Sequence, residues 1–288
     1  MPARASSPAA ERSIAKSLRE YARGIAGGLM FSLPLLYTME MWWAGFTSHP
    51  ERLLLYVAVT FALLLGYNRY AGMRRDASWL EVAIDSVEEM GLGLMTAGLM
   101  LFLLGRITSE MELNEILGKL IIEAMTVAIG VSIGTSQLGS GGADEQDTGV
   151  EKDLASRKAN FGNQLVLALC GAVLFAANVA PTEEIVLIAH SISSWRLIGL
   201  ALLSIAFSAL ILFYSEFRGS KQFAAKTGAK HIISMTTVSY GIALLASLMI
   251  LWFFGRLDGE PIVTCVGQTV VLGAAGALGA SAGRLLLQ

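Results

Sequence analysis

The run AIGVSIG at residues 128–134 returns 149 residues later as ALGASAG at residues 277–283. Each run lies in a long apolar stretch, where small residues let two membrane helices bring their backbones together. The Gly-x-Ser-x-Gly inside each run is read as that packing seam. It is not a nucleophile elbow, because it falls within a helix and not at a strand-to-helix turn.

The correspondence extends outward from this seam. At the same shift Gly118 meets Gly267, and at a shift of 150 Gly91 meets Gly241. The trio Leu101, Gly105 and Arg106 then meets Leu251, Gly255 and Arg256. At a shift of 144, Gly27, Phe31, Thr38, Glu40 and Arg52 meet Gly171, Phe175, Thr182, Glu184 and Arg196. A longer sixth loop explains the drift. The matches follow one order through four helices, which predicts a duplicated four-helix unit.

Composition sets the surroundings of that unit. Of 288 residues, 54% are hydrophobic and 15% charged, against about 25% charged in soluble domains. Mean hydropathy is +0.59. A net charge of −2 speaks against a nucleic-acid partner, which requires a basic face. The expected partners are the lipid bilayer and a small cation or proton, and a homo-oligomer is compatible with the sequence. Cys170 and Cys265 sit in apolar stretches without metal-type spacing and read as packing residues.

A membrane span needs roughly 20 mostly apolar residues. Eight segments fit or nearly fit: 22–46, 52–70, 79–105, 112–137, 162–190, 195–216, 230–255 and 262–284. The expected fold is therefore an all-α membrane protein of about eight transmembrane helices. Residues 1–20 form a polar cytoplasmic tail, 21–137 the first four-helix repeat, 138–160 a Gly-rich charged linker and 161–288 the second repeat. The tail does not read as a signal peptide, since the apolar run after it is too long. An even number of spans per unit makes the repeats parallel, related by an axis along the membrane normal.

Orientation follows from the basic residues. With the N-terminus inside, sixteen Lys and Arg fall on the inner side, Arg69, Arg74, Arg75 and Arg284 among them. Only Arg52, Arg106, Arg196 and Arg256 fall outside, and Lys119 lies within a span. The bias predicts cytoplasmic termini at both ends.

Charges inside a bilayer cost roughly 2.5–3.5 kcal/mol each on insertion scales, so they are candidate functional groups. Glu40 and Glu184 stand two residues after threonines in the outer third of their helices, near Pro34 and Pro181. They read either as an outer carboxylate gate or as groups reaching headgroups, Arg52 or Arg196. On the third helix Glu81, Asp85 and Glu88 recur on one stripe, with Glu89 beside it, at increasing depth. Like charges this close need protons or cations, unless residues 78–89 lie on the membrane surface. On the fourth helix Glu112, Glu115, Lys119 and Glu123 form one charged face. Lys119 can pair with Glu115 or Glu123, or across to Glu88 or Glu89, either as a packing lock or as part of a relay. The second unit lacks this chemistry. Asp85, Glu88, Glu89, Lys119 and Glu123 correspond to Met235, Val238, Ser239, Gln268 and Leu272.

The opening stretch RGIAGGLMFSLPLLYTMEMW, residues 23–42, and the acidic helix at 81–93 resemble an uncharacterised family of bacterial multi-pass integral membrane proteins. The resemblance implies an inner-membrane location and brings no activity or catalytic residues with it. The functional expectation therefore rests on the charges. It is a channel or transporter for a small cation or protons, not an enzyme, without cofactor or metal. Asp85, Glu88, Glu89 and Glu123 would line the route, Lys119 would be a counter-charge, and Glu40 and Glu184 an outer gate. The alternative is a non-transporting sensor or assembly protein whose charges serve helix packing.

Overall fold

The computed structural model describes residues 14–72, 77–137, 161–214 and 229–286, and these residues form an all-helical bundle. The linker expected at 138–160 and most of the polar tail lie outside the described residues. The first half contains α1 (Ile14–Leu36), α2 (Met39–Thr47), α3 (Pro50–Tyr70), α4 (Trp79–Leu103) and α5 (Leu113–Gln137). The second contains α6 (Phe161–Ala177), α7 (Glu184–Ser191), α8 (Ser194–Tyr214), α9 (Ala229–Phe253) and α10 (Ile262–Leu286).

Among the described residues six helices are long and apolar enough to cross a membrane: α3, α4, α5, α8, α9 and α10. The segments expected as continuous spans at 22–46 and 162–190 are instead broken. The first is divided into α1 and α2 at Tyr37 and Thr38, and the second into α6 and α7 between Asn178 and Glu183. Proline is the physical cause in the first case, because Pro34 brings no amide hydrogen to the last turn of α1. Side chains then take up carbonyls that the ended helix leaves over. Thr38 Oγ1 donates to Pro34 O at 2.6 Å, and Trp42 Nε1 to Leu36 O at 3.2 Å. At the second break Asn178 donates to Leu174 O, Thr182 to Val179 O, and the Arg256 guanidinium to Pro181 O.

α5 packs against α1, α2, α3 and α4, and α10 packs against α6, α7, α8 and α9. The apolar part of α5 is 78% buried against 28% for α3 and α4, so α5 is the central helix of its half. α4 and α8 turn Met95, Leu99, Phe102, Leu202, Leu203 and Phe207 outward. Apolar rows of this kind on a bundle surface are what contact with lipid requires.

Glycines set the helix spacing. A Cβ on Gly27 would collide with the backbone of Gly134, and one on Gly171 with the backbone of Gly279. Gly45 of α2 rests in the same way on Gly118 of α5. α4 and α9 also end alike. Gly105 and Gly255 have φ of 66° and 68°, a conformation that costs glycine nothing. The next amides, Arg106 and Arg256, return to Leu101 O at 2.8 Å and Leu251 O at 2.9 Å, closing each helix in a glycine cap.

The halves join along α3. Tyr56 stacks on Phe253 with centroids 4.6 Å apart, and Arg52 pairs with Asp258 at 3.0 Å. Cys170 is fully packed, its thiol 3.6 Å from Leu63 O.

Candidate functional site

Glu20, Asn68, Asp85, Glu88, Glu89, Ser132 and Thr135 are among the residues that line one open cleft in the first half. α4 is uninterrupted from Trp79 to Leu103, so the acidic residues and the apolar stretch after them belong to one continuous helix. Their burial within the bundle follows the helix face and not the chain order. Glu88 is exposed, Asp85 is half-buried and Glu89 is 9% exposed. A helix turns about 100° per residue, so adjacent Glu88 and Glu89 face different neighbours. Glu81 belongs to the helix start, because its carboxylate accepts the Ser78 amide at 2.7 Å in a capping box.

Glu89 is held by a polar network across three helices. Asn68 of α3 donates to Glu89 Oε2 at 2.7 Å and to Ser86 Oγ at 3.1 Å. Ser132 of α5 donates to Asn68 Oδ1 at 3.0 Å. Burying a carboxylate costs several kcal/mol even after relaxation. A hydrogen bond to a charged group returns about 1.5–3 kcal/mol. The hydrogen bonds to Glu89 therefore offset part of the cost of its burial.

The charges of α5 stand apart from this cleft. Lys119 pairs with Glu115 at 2.5 Å, with Arg106 O at 3.4 Å and the Phe46 ring at 5.6 Å nearby. Pairing with Glu88 or Glu89 does not form, because Lys119 is held at the opposite end of α5 from the cleft, and its ammonium turns to Glu115 and not to Glu123 one turn further on. Glu123 is fully buried, and neither of its oxygens has a hydrogen-bond partner among the described residues. Nine residues separate Glu123 from Ser132, about 13–14 Å along the helix.

Glu40 and Glu184 occupy the first turns of α2 and α7. Glu40 is half-buried and Glu184 exposed. Arg52, one of the partners expected for Glu40, is engaged by Asp258 instead.

Four residues are not among the site candidates read from the sequence: Glu20, Asn68 and Ser132 at the cleft, and Arg284 in the second half. Glu20 carried a legible signal. It lies one turn before Gly24 and two before Gly27, on the stripe of α1 that meets α5. Arg284, one of the charges assigned to the inner face, is 3% exposed. Its guanidinium donates to Gln164 Oε1 and Ser239 Oγ at 2.6 Å each and to Met235 O at 3.1 Å, with Met235 Sδ at 3.2 Å. Among the described residues no three of His, Cys, Asp and Glu converge closely enough to hold one metal ion.

The family model described as "Putative integral membrane protein (DUF2391)" matches residues 20–287. No curated protein and no solved structure matches the chain. The match runs through both halves, from Glu20 at the cleft to beyond Arg284, and the chain belongs to this family of multi-pass integral membrane proteins.

Proposed function

We propose that the protein carries protons or a small cation across a bacterial inner membrane, entering from the cytoplasmic side through the acidic cleft. The observation that carries this reading is Glu89, a buried carboxylate that lines the cleft and is hydrogen-bonded by Asn68. An ionisable group at that depth is seldom idle. Both termini are cytoplasmic in this reading, from the excess of Lys and Arg on that side. The chain crosses eight times, α1 and α6 completing their crossings together with α2 and α7. α6 alone has 17 residues, about 26 Å against a hydrocarbon core of about 30 Å.

The two halves are read as parallel copies of one unit. The paired glycine contacts at Gly27 and Gly171 and the paired caps at Gly105 and Gly255 support this, together with the matching order of helices. Beyond the cleft, Glu123 is the next carboxylate on α5, and the Lys119–Glu115 pair closes the far end. Glu40 and Glu184 complete the outer carboxylates of the route. Tightly packed helix between Glu123 and Ser132 favours a carrier that opens alternately over a standing pore. The chemistry is transport, not catalysis.

A second reading has one observation in its favour. Asn68 ties α3, α4 and α5 together, as a purely structural lock would. Proteoliposome flux separates the two. Wild-type protein should move protons, sodium or potassium, and Glu89→Gln should lower that flux at least tenfold while the protein stays folded. Undiminished flux in folded Glu89→Gln, or none in wild type, sinks the transport reading.

A further inference from the structure

We infer that Glu123 holds a sodium ion inside the first half, at the break between α1 and α2, with the hydroxyls of Thr126 and Tyr56 beside it. The binding stands on the geometry of this region alone. That the ion is cargo deepens the transport reading and rests on it.

Helix geometry fixes where the carboxylate lies. Gly118 and Lys119 of α5 press on Gly45 of α2, and Val127 of α5 lies against Gly28 of α1. Residues 119, 123 and 127 recur every four positions, so Glu123 faces α1 and α2 between those two contacts. Leu35 of α1 packs with Ile122, which sets Glu123 level with the last turn of α1, a helix that ends at Leu36. Thr126 is three positions on and neighbours Glu123 on the surface of α5. Its hydroxyl meets that of Tyr56 at 2.9 Å.

Negative charge gathers at this point. Glu123 is completely buried, and both its oxygens lack a hydrogen-bond partner among the described residues. The C-terminal end of a helix adds roughly half a negative charge, and α1 supplies one at the same level. The positive start of α2 already has Glu40 in its first turn. Lys119, the cation one turn away, gives its ammonium to Glu115.

The donors define what meets that charge. One carboxylate, two hydroxyls and the carbonyl end of a broken helix are oxygen ligands, and broken membrane helices supply carbonyls of this kind to sodium. No three of His, Cys, Asp and Glu converge here among the described residues, so the several carboxylates of a calcium site are not assembled. One carboxylate balances one monovalent charge. A proton alone would draw Glu123 into a hydrogen bond with a neighbouring hydroxyl. Ligands around a cation stand apart instead, as Glu123 and the Tyr56–Thr126 pair do.

The test melts full-length protein in detergent at fixed ionic strength, with choline chloride exchanged stepwise for sodium chloride. Wild type should show a saturable rise in Tm of about 5 °C. Glu123→Gln should gain nothing from sodium. Without sodium the same change should not lower Tm, since it removes a buried charge. Tyr56→Phe keeps the ring that stacks on Phe253 and should raise the half-effective sodium concentration several-fold.

No sodium-specific rise in wild type, or a full rise in folded Glu123→Gln, overturns the inference. So does a Tm that follows pH but not sodium, which gives the carboxylate to a proton. If Glu123→Gln does not fold, Tyr56→Phe decides, and an unchanged half-effective concentration counts against the site. Flux separates the two readings. Sodium binding without flux of any tested cation removes the transport reading and leaves the site. Proton or potassium flux without sodium binding removes this inference alone.

Discussion

Asn68 on α3 points its amide nitrogen at Glu89 on α4 from 2.7 Å and takes a hydrogen bond on its oxygen from Ser132 on α5. A neutral side chain is therefore the hub of the polar network that joins α3, α4 and α5. Asn68→Ala should leave Glu89, Ser86 and Ser132 short of partners, at about 1–3 kcal/mol for the first of them. Adding Glu89→Gln should recover part of that loss. A double-mutant cycle on thermal melts checks it, with a coupling above about 0.5 kcal/mol expected for residues in one network.

Two glycines predict opposite outcomes. Gly27→Ala drives a methyl group into the Gly134 backbone, which cannot yield without separating α1 from α5. It should give protein that aggregates on size-exclusion chromatography or melts well below wild type. A methyl group at Gly91 would meet nothing within 4 Å among the described residues. Gly91→Ala should therefore stabilise α4 by about 0.5–1 kcal/mol through helix propensity, read as a higher Tm.

The Lys119–Glu115 pair should respond asymmetrically. The lysine side chain is 7% exposed and the glutamate 32%. Glu115→Gln strands a buried ammonium, whereas Lys119→Gln strands a carboxylate that water still reaches. Breaking a fully buried pair costs about 3–5 kcal/mol, and partial exposure reduces that here. Thermal melts should rank Glu115→Gln as the more damaging change, and the reverse order would contradict the burial described.

Glu123 presents a stability cost without a visible return. Its oxygens are buried and lack partners among the described residues, and the second half has Leu272 at the corresponding position. Glu123→Leu should raise Tm, since apolar replacement of buried charge is often stabilising by about 1–4 kcal/mol. It should also reduce flux if the carboxylate belongs to the route. A drop in Tm would show that the carboxyl group makes a contact the helix packing requires.

Membrane class, helix content and the acidic character of α4 were all determined by sequence alone. Hydrophobic length and helical spacing are local properties, carried by runs such as 79–103 and 262–284. The glycine seams were equally legible, because close backbone approach leaves no choice of residue. Tertiary structure decided the rest. It broke the first helix at Tyr37 and Thr38, gave Lys119 to Glu115, separated Glu123 from the cleft and buried Arg284. It also brought Glu20 beside residues more than sixty positions away. Which charges meet depends on how the helices rotate and pack against one another, and no period within a single helix records that.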